Sequence, residues 1–311
     1  MTAPILQPTA ENIARAAATL SAGGLVAMPT ETVYGLAANA SDAAAVAKLY
    51  TAKGRPRFNP LIAHVADLDT ARQQGQFSRH ALALAEAFWP GPLTLIVDTA
   101  PSLTICDLAR AGLDSVALRV PAHPVAQSLL SAFGAPLVAP SANPSGQISP
   151  TTARHVATDM ATRIDLILDG GPCSAGIEST IIDARGERPA LLRPGSLDPA
   201  QIAAIWPGLT RPQDNPEAPQ SPGQLLRHYA PKAHLRLNVL QAEPGEAYLG
   251  FGPGTCDLNL SPTSDLNQAA ANIFTMLRAL DASHARIAVA PIPDTGLGEA
   301  INDRLTRAAK A

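Results

Sequence analysis

Apolar and polar positions fall along this chain in short blocks whose period keeps changing. Residues 9–22 carry a helical spacing behind Thr9, with Glu11 in the first turn and Gly23-Gly24 beyond the last, which predicts a capped helix. The apolar run 25–28 halts at Pro29 and predicts a buried strand. A second helix is predicted over 41–53, capped by Ser41 or Asp42, with Val46, Leu49 and Tyr50 on one face and Gly54 closing it. Apolar runs at 61–65, 93–97, 116–120, 137–139, 165–168 and 179–183 predict further strands. Helical patterns at 68–74, 80–88, 122–132 and 151–160 lie between them. Past residue 232, strand-like runs at 235–240, 246–251 and 287–290 alternate with helices at 265–282 and 297–309. Strands alternating with helices predict an α/β protein, here with a second, smaller unit of βαβ type.

The pattern breaks once. Residues 207–222 contain five prolines, the two ends included, among Gly, Gln, Asp, Asn and Glu, a composition that predicts an extended, semi-stiff connector. The expected organisation is therefore a first domain over 1–196, a Pro-rich linker over 197–231 and a second domain over 232–311. The linker's end, 221–231, is too aromatic and cationic to be idle, and is expected to dock.

Composition narrows the function classes. With 311 residues, 46% apolar and 16% charged, the chain can bury a large core and is unlike a disordered one. A net charge of −3 supplies no global field for nucleic acid, so a polyanion site must be local. Cys106, Cys173 and Cys256 fit neither a disulfide framework nor a zinc spacing, and are expected as reduced thiols in a cytoplasmic protein. No window approaches a membrane span, and no export signal precedes Ile5.

Candidate chemistry clusters at the second helix's end. Lys53, Arg55 and Arg57 lie within five residues, held between Gly54, Pro56 and Pro60, in a segment unsuited to regular structure. Such a segment is either a solvated basic turn or an anion-binding loop. Only four lysines occur, Lys48, Lys53, Lys232 and Lys310, which singles out Lys53. Arg119 sits in an apolar strand and is expected to be desolvated beside an anionic partner. Residues 140–150, rich in Ser, Asn, Gly and Pro, form either a surface loop or a phosphate cradle. The glycines of 169–176 lack the G-x-G-x-x-G order, and no G-x-x-x-x-G-K-[ST] occurs, so neither a dinucleotide fingerprint nor a P-loop is present.

Eight ordered motifs then resemble one family. They are P-T-E-T-V-Y-G-L (29–36), Y-x-x-K-G-R-P-x-x-N-P-L (50–61), W-P-G-P-L-T (89–94), R-V-P-x-H-P (119–124), A-P-S-A-N-x-S-G (139–146), G-I-E-S-T-I-I-D (176–183), R-P-G (193–195) and S-P-G-x-x-x-x-H-Y-A-P (221–231). Together they resemble the YrdC/Sua5 family over nearly the whole chain. The resemblance implies a twisted mixed-sheet YrdC-like domain with a concave basic face, carrying a small Rossmann-like Sua5 domain. It implies synthesis of L-threonylcarbamoyladenylate from L-threonine, bicarbonate and ATP, with pyrophosphate released, for t6A modification of tRNA at position 37. Carried over by motif, threonine would be held by Thr32, His64, Arg119, the Ala139 backbone and Ser179, with Arg119 forking the carboxylate. The nucleotide would contact Arg55, Asn59, Ser115, Ser141, Ser149, Arg193, and His228 or Tyr229. Lys53, Arg55, Ser141 and Asn143 resemble the central polar quartet. Each has a plainer account, as cap, turn residue or buried hydrogen-bonded group. The reaction needs no side-chain nucleophile, only cations converging on packed anions, with Mg2+ on the ATP phosphates and no protein metal site. Lys53, Arg119 and Arg193 are thus expected to share one hollow, and residues 228–229 to close over it as part of a lid. The resemblance leaves room for tRNA and downstream t6A transferase proteins as partners, and for no membrane. Two rivals are an RNA-binding module and a carbamoyl-transfer domain of hydrogenase-maturation type, which lacks the linker and second domain.

Overall fold

A computed structural model describes residues 2–212 and 228–310. Its first unit opens with β1 (Ile5–Leu6), α1 (Ala10–Ser21), β2 (Val26–Met28), β3 (Gly35–Asn39), α2 (Ala43–Lys53) and β4 (Ile62–His64). There follow α3 (Leu68–Gln74), β5 (Gly75–Gln76), α4 (Arg79–Phe88), β6 (Leu93–Thr99), α5 (Asp107–Arg110), β7 (Ser115–Arg119) and α6 (Pro124–Phe133). It ends with β8 (Leu137–Val138), α7 (Ala153–Met160), β9 (Leu166–Leu168), β10 (Thr180–Asp183), β11 (Ala190–Arg193) and α8 (Pro199–Ile205). The second unit holds β12 (His234–Arg236), β13 (Ala247–Gly250), β14 (Leu258–Asn259), α9 (Leu266–Asp281), β15 (Arg286–Val289) and α10 (Leu297–Ala309).

The caps predicted for the first two helices are in place, and α7 is capped in the same way. Thr9 Oγ accepts from the Asn12 amide, Asp42 from those of Ala44 and Ala45, and Thr152 from that of His155. Gly54 closes α2 at φ 60°, where a side chain would strain the backbone. Lys53 belongs to the last turn of α2, so the basic segment is half helix and half loop.

The first sheet is mixed, in the order β1-β9-β2-β3-β8-β4-β7-β6-β10-β11, with β5 added on β6. Helices α2, α4 and α7 pack an apolar core on one face, and α1 and α6 pack another on the opposite face. Near the middle, β4 and β7 are parallel with His64 opposite Arg119, which sets both residues at the strands' carboxyl ends. The second sheet is wholly parallel, β12-β15-β13-β14. Its core also takes in Val33, Ile148, Ile177 and Tyr229. The two units therefore share one apolar interface.

Strands β1, β3, β5, β11 and β14 and helices α5 and α8 were not predicted. Of the linker expected over 197–231, residues 213–227, which include 221–227 of the last motif, lie outside the described residues; its opening part is no connector, since α8 packs Ile202, with Leu197 before it, into the first core. Its described end is seated: the Ala230 amide donates to the Gly146 carbonyl at 2.8 Å, forming a parallel bridge with Gln147. Among the described residues no helix is long and apolar enough to cross a membrane.

Candidate active site

Eight separated stretches of the chain meet at a small cavity of about 50 Å3. The turn after β2 brings Thr30, Thr32 and Val33; the ends of β4 and β7 bring His64 and Arg119. Residues 139–141 form a rim, Glu178, Ser179 and Arg193 line the far side, and His228 and Tyr229 cover it. Arg55 reaches in from the basic segment.

Arg119 is 4% exposed and has found its anion within the chain. Nη2 meets Glu31 Oε1 at 2.6 Å, Nη1 donates to Thr32 Oγ1 at 2.9 Å, and Nε donates to the Gly91 carbonyl at 3.3 Å. The Thr30 hydroxyl lies 2.8 Å from that of Thr32 and orders the turn. These three bonds leave two guanidinium hydrogens for a ligand. Beside it, burial and then Arg119 push the His64 imidazole down to about 3, so the ring is neutral at physiological pH; its Nδ1 has no partner.

Across the cavity, Arg193 Nη2 donates to the Ser179 carbonyl at 2.9 Å and to its hydroxyl at 3.2 Å. The Ser179 hydroxyl also lies 2.7 Å from that of Thr94. Arg55 donates from Nη2 to the Pro60 carbonyl at 3.0 Å, which clamps the loop between α2 and β4. Burial pushes its guanidinium down to about 10, with Tyr50 opposing and Arg193 adding. His228 is held well below its ordinary value by burial, then by Arg55, Lys53, Arg193 and Arg304. Neutral histidine is the form a hollow of arginines tolerates.

Lys53 plays a different part from the one expected. Its Nζ donates to the carbonyls of Ser141 and Asn143, so the charge braces the 140–147 loop from behind instead of facing the cavity. Burial, with Arg55 adding, holds it well below its usual range. Asn143 Nδ2 likewise folds that loop, donating to the Pro144 and Gln147 carbonyls. Ser149 donates to Glu178 Oε1 at 2.5 Å. Ser115 begins β7, four residues from Arg119 and about 13 Å along the strand. Of the sequence-predicted residues, Arg55, Thr32, His64, Arg119, Ala139, Ser141, Ser179, Arg193, His228 and Tyr229 converge here. Lys53, Asn59, Asn143, Ser149 and Ser115 do not line the cavity. Asn59 is buried nonetheless, with neither amide atom partnered, an arrangement costing about 1–3 kcal/mol that a bound group would relieve.

Sequence reasoning passed over Glu31, Glu178 and Arg304. Both carboxylates stand inside quoted motifs, each beside a threonine or serine that the resemblance places at the site, Thr32 and Ser179, which is the signal that could have found them; Arg304 reads as ordinary helix surface. Burial raises and Arg304 and Arg193 lower the Glu178 carboxyl, with the arginines prevailing. Among the described residues no cluster of three His, Cys, Asp or Glu side chains could hold a metal ion.

This constellation sits on a chain with clear relatives. The family model described as telomere recombination, Sua5/YciO/YrdC, matches residues 18–195, and the one described as threonylcarbamoyl-AMP synthase, C-terminal domain, matches 197–310. The chain belongs to the Sua5/YrdC family. Within that family, it is 41% identical to the threonylcarbamoyl-AMP synthase of Bacillus subtilis, over 96% of this chain and 92% of that protein. The Pyrococcus abyssi protein of the same name is 38% identical over 94% and 92%. A crystal structure of P. abyssi Sua5 complexed with L-threonine superimposes with a TM-score of 0.90, at 35% identity, covering 99% of this chain and 97% of that one. Sua5-type architecture, both units included, thus spans the chain.

Proposed function

We infer that the chain is a threonylcarbamoyl-AMP synthase serving t6A synthesis, and a nucleotidyltransferase in class. The threonine amine and bicarbonate condense to a carbamate with loss of water. A carbamate oxygen then attacks the α-phosphorus of ATP, the bond from that phosphorus to the bridging oxygen breaks, and pyrophosphate departs. One observation carries the reading: Arg55, Arg119 and Arg193, from three distant parts of the sequence, face a single buried hollow. No nucleophile is needed there, only positive charge placed where anions must be packed together.

In this reading Thr32, His64, Arg119, the Ala139 backbone and Ser179 hold threonine, while Arg55, Ser141, Arg193, His228 and Tyr229 face the nucleotide. Lys53 and Asn143 act by shaping the loop that presents Ser141. Because Arg119 already serves Glu31 and Thr32, the amino-acid carboxylate takes the two free donors rather than an open fork. A hollow of about 50 Å3 is far below the roughly 300 Å3 of the smaller ligand sites, so its walls must part to admit both substrates. Nearby acids are already committed, Glu31 to Arg119 and Glu178 to Arg304 and Ser149. The nucleotide is therefore taken as its Mg2+ complex, the metal arriving with the substrate.

The test is pyrophosphate release from the full-length protein with MgATP, threonine and bicarbonate. Release should require all three. Release that persists without threonine or bicarbonate would falsify the assignment, and tight, salt-sensitive tRNA binding with no turnover would favour an RNA-binding module.

A further inference from the structure

Behind the cavity lies a side chain from the other unit. Arg304, on α10, is wholly buried. Its Nε donates to Glu178 Oε2 at 2.9 Å, and its Nη1 donates to the Pro194 carbonyl at 2.9 Å and to Asp303 at 2.7 Å. Its guanidinium carbon stands 5.1 Å from the centre of the Tyr229 ring. The Tyr229 ring also stacks on Phe274 of α9, with centroids 5.6 Å apart and planes at 22°, and meets His228 with centroids 4.0 Å apart. Tyr229 also has a φ of 62°, a left-handed conformation unfavourable for a tyrosine, which persists only where neighbours hold it.

The arrangement makes little sense as a device for stability. An ion pair removed from water loses to desolvation most of what attraction supplies, and apolar side chains of similar size would fill the space as well. What a rigid guanidinium does supply is geometry. Arg304 fixes three pieces at once: Glu178 on the run into β10, the turn at Pro194 that follows Arg193, and the Tyr229 ring. All three belong to one side of the cavity. Thr32, His64 and Arg119, on the other side, have no contact with it and are held by the first sheet and Glu31.

We propose that Arg304 is a positioning residue for the nucleotide, and that through it the second unit sets the half of the cavity that Tyr229 and Arg193 form. The inference rests on the function proposed above and gives the second unit a part in it. It acts through Glu178 and Tyr229 and touches no reacting atom.

The experiment uses full-length protein with Arg304→Met, Arg304→Lys, Glu178→Gln and the double variant Arg304→Met/Glu178→Gln, which removes both members of the buried pair. Binding of a non-hydrolysable ATP analogue and of threonine is read by calorimetry, alongside melting temperature and the KM for each substrate. Arg304→Met should weaken analogue binding about tenfold or more and raise the KM for ATP, with threonine affinity kept within about twofold. Arg304→Lys should recover part of the loss. The double variant should regain the melting temperature but not nucleotide affinity. Unchanged analogue binding in the double variant, or equal losses for both substrates that follow melting temperature, would overturn the proposal. A wild-type chain that binds the analogue yet releases no pyrophosphate counts against the proposed reaction alone.

Discussion

A single guanidinium sets the character of the cavity. Arg119 is pinned by Glu31, Thr32 and the Gly91 carbonyl, which leaves one hydrogen on each terminal nitrogen. A lysine there cannot reproduce three directed bonds and still serve a carboxylate. Arg119→Lys should therefore lower threonine affinity by about 10- to 100-fold, measured by calorimetry, while nucleotide binding holds. Affinity within about twofold of wild type would move the carboxylate site elsewhere. Motif matching found the residues that line the hollow because their polarity stands out against apolar neighbours. It could not tell lining from bracing: Lys53, Asn143 and Ser149 carry the same chemical signal yet turn away, since side-chain direction depends on where the chain goes next. Arg304, one of many charges on an amphipathic helix, carried no signal at all.

Helices were the most legible elements, because cap and period coincide at α1, α2 and α9, although α10 starts at Gly296 with no side-chain cap. Strands with distinct apolar runs were legible too. The misses are instructive. β3 (Gly35–Asn39) is Gly-Leu-Ala-Ala-Asn, poor in β-branched residues, and exists because β2 and β8 flank it. β1 has two residues and is ordered by β9 alone. At this scale the contact between the units has a sharp test. A Cβ on Gly176 would fall 2.3 Å from the Ala270 carbonyl oxygen and 2.4 Å from Ala271 Cα on α9, at a φ of 74°. Gly146 shares a positive φ, 86°, with nothing within 4 Å. Gly146→Ala should cost about 1 kcal/mol from backbone strain, and Gly176→Ala about 2–4 kcal/mol, because strain adds to a clash with main chain that cannot rotate away. Equal midpoints in urea for the two variants would mean that α9 is not pressed against that loop.

For the molecule as a whole, the buried histidines decide how it meets acid. His64 is held down to about 3 and His155 to about 4, each by burial first, and then by Arg119 for His64 and Arg278 for His155; Asp159 partly opposes the latter. His228 is held well below its usual range. Each native value lies beneath the unfolded one near 6.5, so the unfolded chain binds the extra protons. Their contribution is fully present above pH 6.5 and drains as pH falls toward the native values, at up to about 1.4 kcal/mol per pH unit for each ring. Unfolding free energy should therefore fall steadily between pH 6.5 and about 4.5, and His64→Asn should reduce that slope by close to one proton. A slope unchanged by the substitution would mean that His64 is not held neutral.

The brace at residue 304 also bears on how the protein is made. A chain leaving the ribosome has already presented Arg55, Arg119 and Arg193 when Tyr229 emerges, yet α10 is still untranslated. Until α10 forms, Glu178 lacks its Arg304 and the tyrosine ring lacks its cationic contact. Translation thus brings the cationic residues into being early and the part that orders them late, so that the pocket tightens only after its lining exists.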